Sequence, residues 1–442
     1  MWKFDPYASA HALLSALRAG ETTAEALTHA YLDRIARYQE CLNAVAELNP
    51  HAIRDARALD NDPAARDLPL FGLPILVKDN IDVSGLHTTA GSVTLSDHLA
   101  AKDAPVIARL RAAGAVILGK TKMTEFANFL TKGMPGGFSS GGGQVRHAYG
   151  PDLDPLGSSS GSGVAASAGL CAAAIGTDTS FSVVACATTH GLAGLKPPCG
   201  TLPDEGIVPI AHTLDSAGPM TRTFSDALLL YAALKGESPV KVAPADPAKL
   251  HIAVNTANLA LVSEEQQGYD HEICAALHEK GARFTKIDQP FTPHLVSVMT
   301  GEFREDLERY LAASTAARRT MPQIIDYYRA HPEAQPYGIS HLEDAVPYEH
   351  AVDSPAYRAA MAERPAIRER ILTEIAPYDA VLMTGPTNIM HFCGLPSLAI
   401  PMCMGKDGAP RGMILYGADE QKLHAAALTI ESICPGVTPP IF

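Results

Sequence analysis

The 442-residue chain has no stretch of about eighteen uncharged apolar residues, so it offers no candidate membrane-spanning helix. Its first twenty residues carry Asp5, His11 and Arg18 and lack the apolar run of a signal peptide. The expectation is a cytoplasmic protein with no membrane partner. Charge is scarce, at 19% of residues, and basic charge is scarcer: 35 Lys plus Arg stand against 48 Asp plus Glu, a net charge of −13. That balance argues against nucleic acid as a partner. Eight cysteines include no C-x-x-C pair and are too few for a disulfide framework in a chain this long, so they read as reduced thiols. Seventeen histidines include no H-E-x-x-H, and no Cys/His cluster has ligand spacing, so no metal is expected. The glycine-rich stretch lacks the G-K-[ST] ending of a phosphate-binding loop, and no cofactor is expected. Internal repeats are absent.

What is present is apolar mass. Hydrophobic residues make up 47% of the chain, enough for a large core and too many for wholesale disorder. The first 60 residues read as helix: Thr22-x-x-Glu25 has capping-box spacing, and Leu27, Tyr31 and Ile35 recur on one face. From residue 70 the texture changes. Leu73 to Val77 is a short apolar run ending in Lys78-Asp79-Asn80, the pattern of a buried strand emerging at its C-terminal end. A helix over Val106 to Leu110, a strand over Ala115 to Leu118 and a helix over Lys122 to Leu130 follow. Such alternation predicts an α/β fold with a mostly parallel sheet.

Residues 133 to 169 hold eleven glycines and seven serines. A flexible linker has this composition, but Val164 to Ala174 follows at once with the small apolar residues of a tightly packed helix. The stretch therefore reads as a structured active-site loop. Residues 236 to 378 carry more charge and helical patterns, among them Glu302 to Ala313 and Pro365 to Ile375, with the proline in a first turn. Strand patterns resume at Asp379 to Met383 and Leu395 to Pro401. The chain divides into an N-terminal helical part (1–69), a catalytic core (70–235), a helical insertion (236–378) and a return to the sheet (379–442). All four are read as one domain.

Three places can do chemistry: Lys78 at the end of an apolar strand, Gly157-Ser158-Ser159-Ser160-Gly161-Ser162-Gly163, and Gly176-Thr177-Asp178-Thr179-Ser180-Phe181-Ser182. A serine hydroxyl is a poor nucleophile until a base takes its proton. A buried lysine can be that base, because burial disfavours the ammonium and lowers its pKa.

These segments carry a resemblance. Members of the amidase signature family share a strand ending V-K-D-N, then G-G-S-S-G-G-S, then G-T-D-x-G-G-S about twenty residues on; this chain resembles them with Val77 to Asn80, Gly157 to Ser162 and Gly176 to Ser182. The resemblance is collinear from about residue 70 to 225 and resumes at 379 to 417. Gly142-Gly143-Gln144-x-Arg146, Gly206 to Ile210, Glu302-Phe303-Arg304-x-Asp306-Leu307 and His331 to Tyr337 are similar to its bacterial peptide amidase branch. The resemblance implies a mixed, mostly parallel central sheet flanked by helices on both faces. It also implies a Ser–cis-Ser–Lys triad with Ser182 as nucleophile, Ser158 as bridging serine after a cis peptide bond, and Lys78 as base. The two serines are 24 residues apart, as in the family. Backbone N–H groups of Thr179, Ser180, Phe181 and Ser182 would form the oxyanion hole.

The implied activity is hydrolysis of a carboxamide or peptide-like amide through an acyl-enzyme, on a small-molecule substrate and without a cofactor. A homo-oligomer is compatible with the sequence. Three other readings share the motifs: an acyltransferase in which an amine replaces water, a binding relative with a disabled oxyanion loop, and one component of a glutamine-dependent tRNA amidotransferase. The sequence also departs from the family. Phe181 replaces the glycine before the nucleophile, Cys186 replaces a following proline, and Ser160 stands where glycine is commoner. Phe181 would either reshape the oxyanion hole or line the substrate pocket with its ring. Asp178 reads as loop-stabilising, and Gln144 and Arg146 as ordering the glycine loop or touching substrate.

Overall fold

A computed structural model describes residues 3–442. Its strands, in chain order, are β1 (Val45–Leu48), β2 (Pro74–Lys78), β3 (Val116–Thr121), β4 (Phe138–Ser139), β5 (Gly143–Gln144), β6 (Ala173–Asp178), β7 (Ala193–Lys196), β8 (Ser216–Thr221), β9 (His251–Asn255), β10 (Arg283–Ile287), β11 (Ala380–Met383), β12 (Ser397–Met404) and β13 (Pro410–Tyr416). Apart from the small hairpin β4–β5, all join one mixed sheet flanked by helices, in the order β1-β3-β2-β6-β8-β7-β12-β13-β11-β9-β10. The parallel pairings expected from strand–helix alternation form two blocks, β3-β2-β6 and β11-β9-β10. Between them the sheet runs antiparallel.

The site sits in the first block. Every residue of β2 and β6 is buried, as a strand covered on both faces requires. Val77 pairs with Ile175, which sets Lys78 beside the carboxyl end of β6. The expected helix after the glycine-rich loop spans Ser160–Ser167 and all eight residues are buried. It stops there; the following apolar residues become β6. Gly161 allows the close approach, since a Cβ on it would lie 2.3 Å from Lys122 O and 2.6 Å from Ala44 O.

Several expectations change. The N-terminal region is not all helix: Asn43 closes the helix Ala24–Leu42 with a left-handed φ of 51°, and β1 follows, antiparallel to β3. That helix is capped by Thr23, whose side chain accepts from Ala26 N, not by Thr22. Lys122 to Leu130 is a single 3₁₀ turn, Glu125–Asn128, with positive φ at Phe126, Ala127 and Asn128. Long-range bonds override helix propensity there, because Ser140 N and Oγ and Tyr328 OH all donate to the Glu125 carboxylate. The region 236–378 is not purely helical, since it contributes β9 and β10 to the sheet edge. The proline that opens the helix Pro355–Ile375 is Pro355. Pro365 lies in its interior, where it withholds an N–H from the Met361 carbonyl.

Candidate active site

Lys78 is the last residue of β2 and is fully buried. Its Nζ donates to Ser158 Oγ at 2.7 Å, Thr177 Oγ1 at 2.8 Å and Thr177 O at 3.3 Å. Burial disfavours the ammonium and pushes its pKa down to about 7, against a weaker opposing pull from Asp178 and Asp215. Asn80 Nδ2 donates to the same Thr177 hydroxyl at 3.0 Å, fixing the group that Lys78 leans on.

Ser158 is fully buried and follows a cis peptide bond from Gly157. Its carbonyl accepts from Thr124 N at 3.1 Å. The neighbouring serines do other things: Ser159 Oγ donates to Thr177 O and Ser160 Oγ to Leu156 O. Gln144 orders the glycine loop, with Nε2 donating to Gly136 O at 2.6 Å. Arg146 is exposed.

Ser182 is 7% exposed, in the turn between β6 and the helix Val184–Thr189. Lys78 and Ser158 are in direct contact, whereas Ser182 Oγ makes no hydrogen bond among the described residues. Phe181, just before it, has a φ of 70°, the left-handed conformation in which an aromatic residue is an outlier. It therefore holds a backbone conformation that glycine takes at little cost. Asp178 holds the far side of the turn, its Oδ2 accepting from Val183 N at 2.8 Å and Val184 N at 3.2 Å. Thr179 Oγ1 donates to Asp215 Oδ1 at 2.5 Å, and burial raises the Asp215 carboxyl to about 7.

His391 is a member of this site that sequence reasoning missed. It is fully buried in the short helix Ile389–Phe392, 210 residues from its partner, so no spacing rule reaches it. Its Nε2 accepts from Phe181 N at 3.1 Å and lies 3.2 Å from Asp178 Oδ1. The Phe181 N–H, a candidate oxyanion donor, is thus committed to an imidazole. Burial lowers the His391 pKa, and a ring that accepts at Nε2 is neutral. Burial would raise Asp178, but the Val183 N–H and the neighbouring Lys196 pull its carboxyl the other way.

A cavity of about 490 Å³ reaches the neighbours of the triad candidates, lined by Asn80, Thr177, Thr179, Ile210, Asp215 and Tyr310 among others; Lys78, Ser158, Phe181 and Ser182 all lie just outside its lining. The half-buried Phe181 ring packs on His391 with centroids 4.4 Å apart. His212, Glu302 and Asp306 bring three ligand-type atoms within 4.8 Å on the same side. Those atoms serve one another and the local backbone: His212 Nδ1 is 2.9 Å from Asp306 Oδ2, and Thr213 N–H and Tyr357 O–H donate to Glu302. The Asp306 hydrogen bond leads in raising His212 to about 9, so the ring is an imidazolium between carboxylates.

A family model described as Amidase matches residues 26–388. A probable amidase of Arabidopsis thaliana is 30% identical, over 95% of this chain and 88% of that protein. A glutamyl-tRNA(Gln) amidotransferase subunit from Chromohalobacter salexigens is also 30% identical, over 97% of this chain and 88% of its own. Among solved structures, the native peptide amidase of Stenotrophomonas maltophilia superposes with a TM-score of 0.87 at 31% identity, covering 98% of each chain. An amidase family protein of Bacillus anthracis gives 0.90 at 27% identity, covering 98% of this chain and 92% of its own.

Proposed function

The chain belongs to the amidase signature family and is an amidohydrolase, and from that premise we propose that Lys78, Ser158 and Ser182 hydrolyse a carboxamide or peptide-like amide through an acyl-enzyme. The observation that carries the reading is the buried contact of 2.7 Å between Lys78 Nζ and Ser158 Oγ, with the lysine brought to about 7 by burial. A neutral Lys78 takes the proton of Ser158 as Ser158 takes that of Ser182, and Ser182 Oγ attacks the amide carbonyl. Backbone N–H groups of the turn Thr179 to Ser182 receive the oxyanion. The relay then runs in reverse to protonate the leaving amine, and water cleaves the ester. The whole chain acts as one domain in this reading, because β2, β6 and the returning strands share one sheet. The peptide-like substrate class is supported by the similarity to peptide amidase over nearly the full length. The small-molecule site is the cavity beside Thr177 and Thr179.

The test is intact-protein mass spectrometry after treatment with a fluorophosphonate. One adduct is expected, on Ser182, and Ser182→Ala should abolish both labelling and hydrolysis, with a rate loss of at least about 10³-fold. An adduct on Ser158 or Ser159 instead would refute the assignment. The relatives that belong to amidotransferases give a specific reason to supply hydroxylamine with the amide. Hydroxamate in excess of free acid would establish acyl transfer to an amine over hydrolysis.

A further inference from the structure

A single nitrogen of a buried histidine faces two groups of the nucleophile turn. His391 Nε2 is 3.1 Å from Phe181 N and 3.2 Å from Asp178 Oδ1. The first contact needs a lone pair on Nε2 and the second needs a proton there. One nitrogen of a neutral imidazole cannot meet both demands at once. The structure shows the first arrangement, with the Phe181 N–H donating to the ring. It leaves two polar atoms stranded, since Asp178 Oδ1 and His391 Nδ1 are both buried without a hydrogen-bond partner among the described residues. Buried polar groups are almost always paired, so two orphans on either side of one contact mark an arrangement with an alternative.

The alternative is a change of tautomer. The ring releases the proton on Nδ1 to solvent water and takes one from water on Nε2, so protons balance and its net charge is unchanged. Nε2–H then donates to Asp178 Oδ1, an acceptor otherwise without a donor, and the Phe181 N–H is released. That N–H belongs to the residue before Ser182. The backbone carrying His391 is anchored independently of this choice: Arg364 Nε donates to Phe392 O at 2.7 Å and Arg368 Nε to Cys393 O at 3.0 Å. The ring stack with Phe181 keeps the two residues together in both states. The other charged group acting on the ring, the buried Lys196 of β7, leaves Asp178 as the acceptor on offer.

We propose that His391 is a positioning residue whose tautomer switches the Phe181 N–H between a capped state on the imidazole and a released state that serves the oxyanion at Ser182. This rests on the assignment of Ser182 as nucleophile. It adds a residue outside the Ser–Ser–Lys set and explains how a loop carrying phenylalanine in place of glycine still presents its backbone to substrate.

The experiment uses wild-type enzyme labelled with ¹⁵N-histidine, the variants His391→Phe and His391→Asn, and a peptide aldehyde that forms a tetrahedral adduct. The His391→Asn spectrum assigns the His391 resonances by subtraction. Free enzyme should show an unprotonated Nε2, and the aldehyde complex a protonated one. His391→Phe should lose at least tenfold in kcat and by the same factor in aldehyde affinity, with KM within about twofold. His391→Asn, whose amide carries acceptor and donor on separate atoms, should recover most of that loss. A purely structural role would not tie kcat to aldehyde affinity. One tautomer in both states, or aldehyde affinity unchanged in His391→Phe, overturns the inference. Fluorophosphonate labelling of the same samples separates the two readings: Ser182 labelled with no tautomer change defeats only the switch, whereas no label on Ser182 defeats the nucleophile assignment and the switch with it.

Discussion

Phe181 shows how far a single residue can be read from sequence. Its position beside Ser182, the proposed nucleophile, was legible, and so was the loss of a glycine. Its backbone was not: a φ of 70° for phenylalanine is dictated by the turn around Ser182 and by His391, whose partnership crosses 210 residues. Left-handed backbone at such a residue costs of order 1–3 kcal/mol, which Phe181→Gly should relieve while losing the ring's contact with His391. Because the ring packs on His391, kcat and KM across amides of increasing acyl size should shift uniformly in the glycine variant. A changed size preference would return the ring to the acyl pocket. Lys78 gives a second prediction at this scale. As the proposed base it must be neutral, so kcat/KM should climb with pH through about 7 and then level off. Lys78→Arg cannot deprotonate in that range and should lose at least about 10²-fold. A profile that is flat from pH 6 to 8 would remove Lys78 from the mechanism.

At the scale of elements, the helix Ser160–Ser167 was legible because small residues followed the glycines too closely for a linker. Its packing partners were not, since Lys122 and Ala44 approach it from distant parts of the chain. Gly161→Ala would place a methyl 2.3 Å from one backbone oxygen and 2.6 Å from another, and neither can swing aside. We expect a loss of about 1–3 kcal/mol by urea denaturation together with weaker fluorophosphonate labelling, as the helix carries Ser158 at its entrance. Unchanged stability would mean that β1 and the Lys122 segment yield easily. The strands β9 and β10 escaped the sequence reading for another reason. They are five residues each, and β10 carries Arg283 and Lys286, an edge-strand composition that periodicity does not separate from loop. The antiparallel middle of the sheet was equally hidden, because alternation of strand and helix announces parallel pairs only.

Across the whole molecule, buried titrating groups set the pH dependence of stability. Burial raises Asp215, Asp270 and Glu431 to about 7, and His212 stands at about 9. Each binds a proton more tightly folded than unfolded, so its contribution is complete at low pH and is lost as pH rises through those values. Lys78 has the opposite sign: its pKa is depressed, and its contribution improves as pH rises from about 7 towards the ordinary lysine range. Unfolding free energy should therefore fall from pH 5 to 7 and flatten above it. Asp270→Asn keeps the side-chain shape beside Gln266 and should make the acid-side slope shallower. An identical slope in the variant would show that Asp270 titrates normally in the folded protein.

The pairing of Val77 with Ile175 has an evolutionary consequence. Lys78 reaches Ser158 only because β2 and β6 are in step, and a shift of one residue would turn the lysine to the opposite face of the sheet. Substitutions in this protein can be tried one at a time, but lengthening or shortening β2 or β6 by a single residue separates Lys78 from Ser158 and with it the proposed base from the proposed relay. Length variation is therefore confined to places such as the loop around Val240, which is 78% exposed and outside every strand and helix. Deleting one residue from β2 should erase labelling of Ser182, while deleting Val240 should leave it intact. Descendants of this sequence are free to diverge in composition but are held to a fixed count along two short strands.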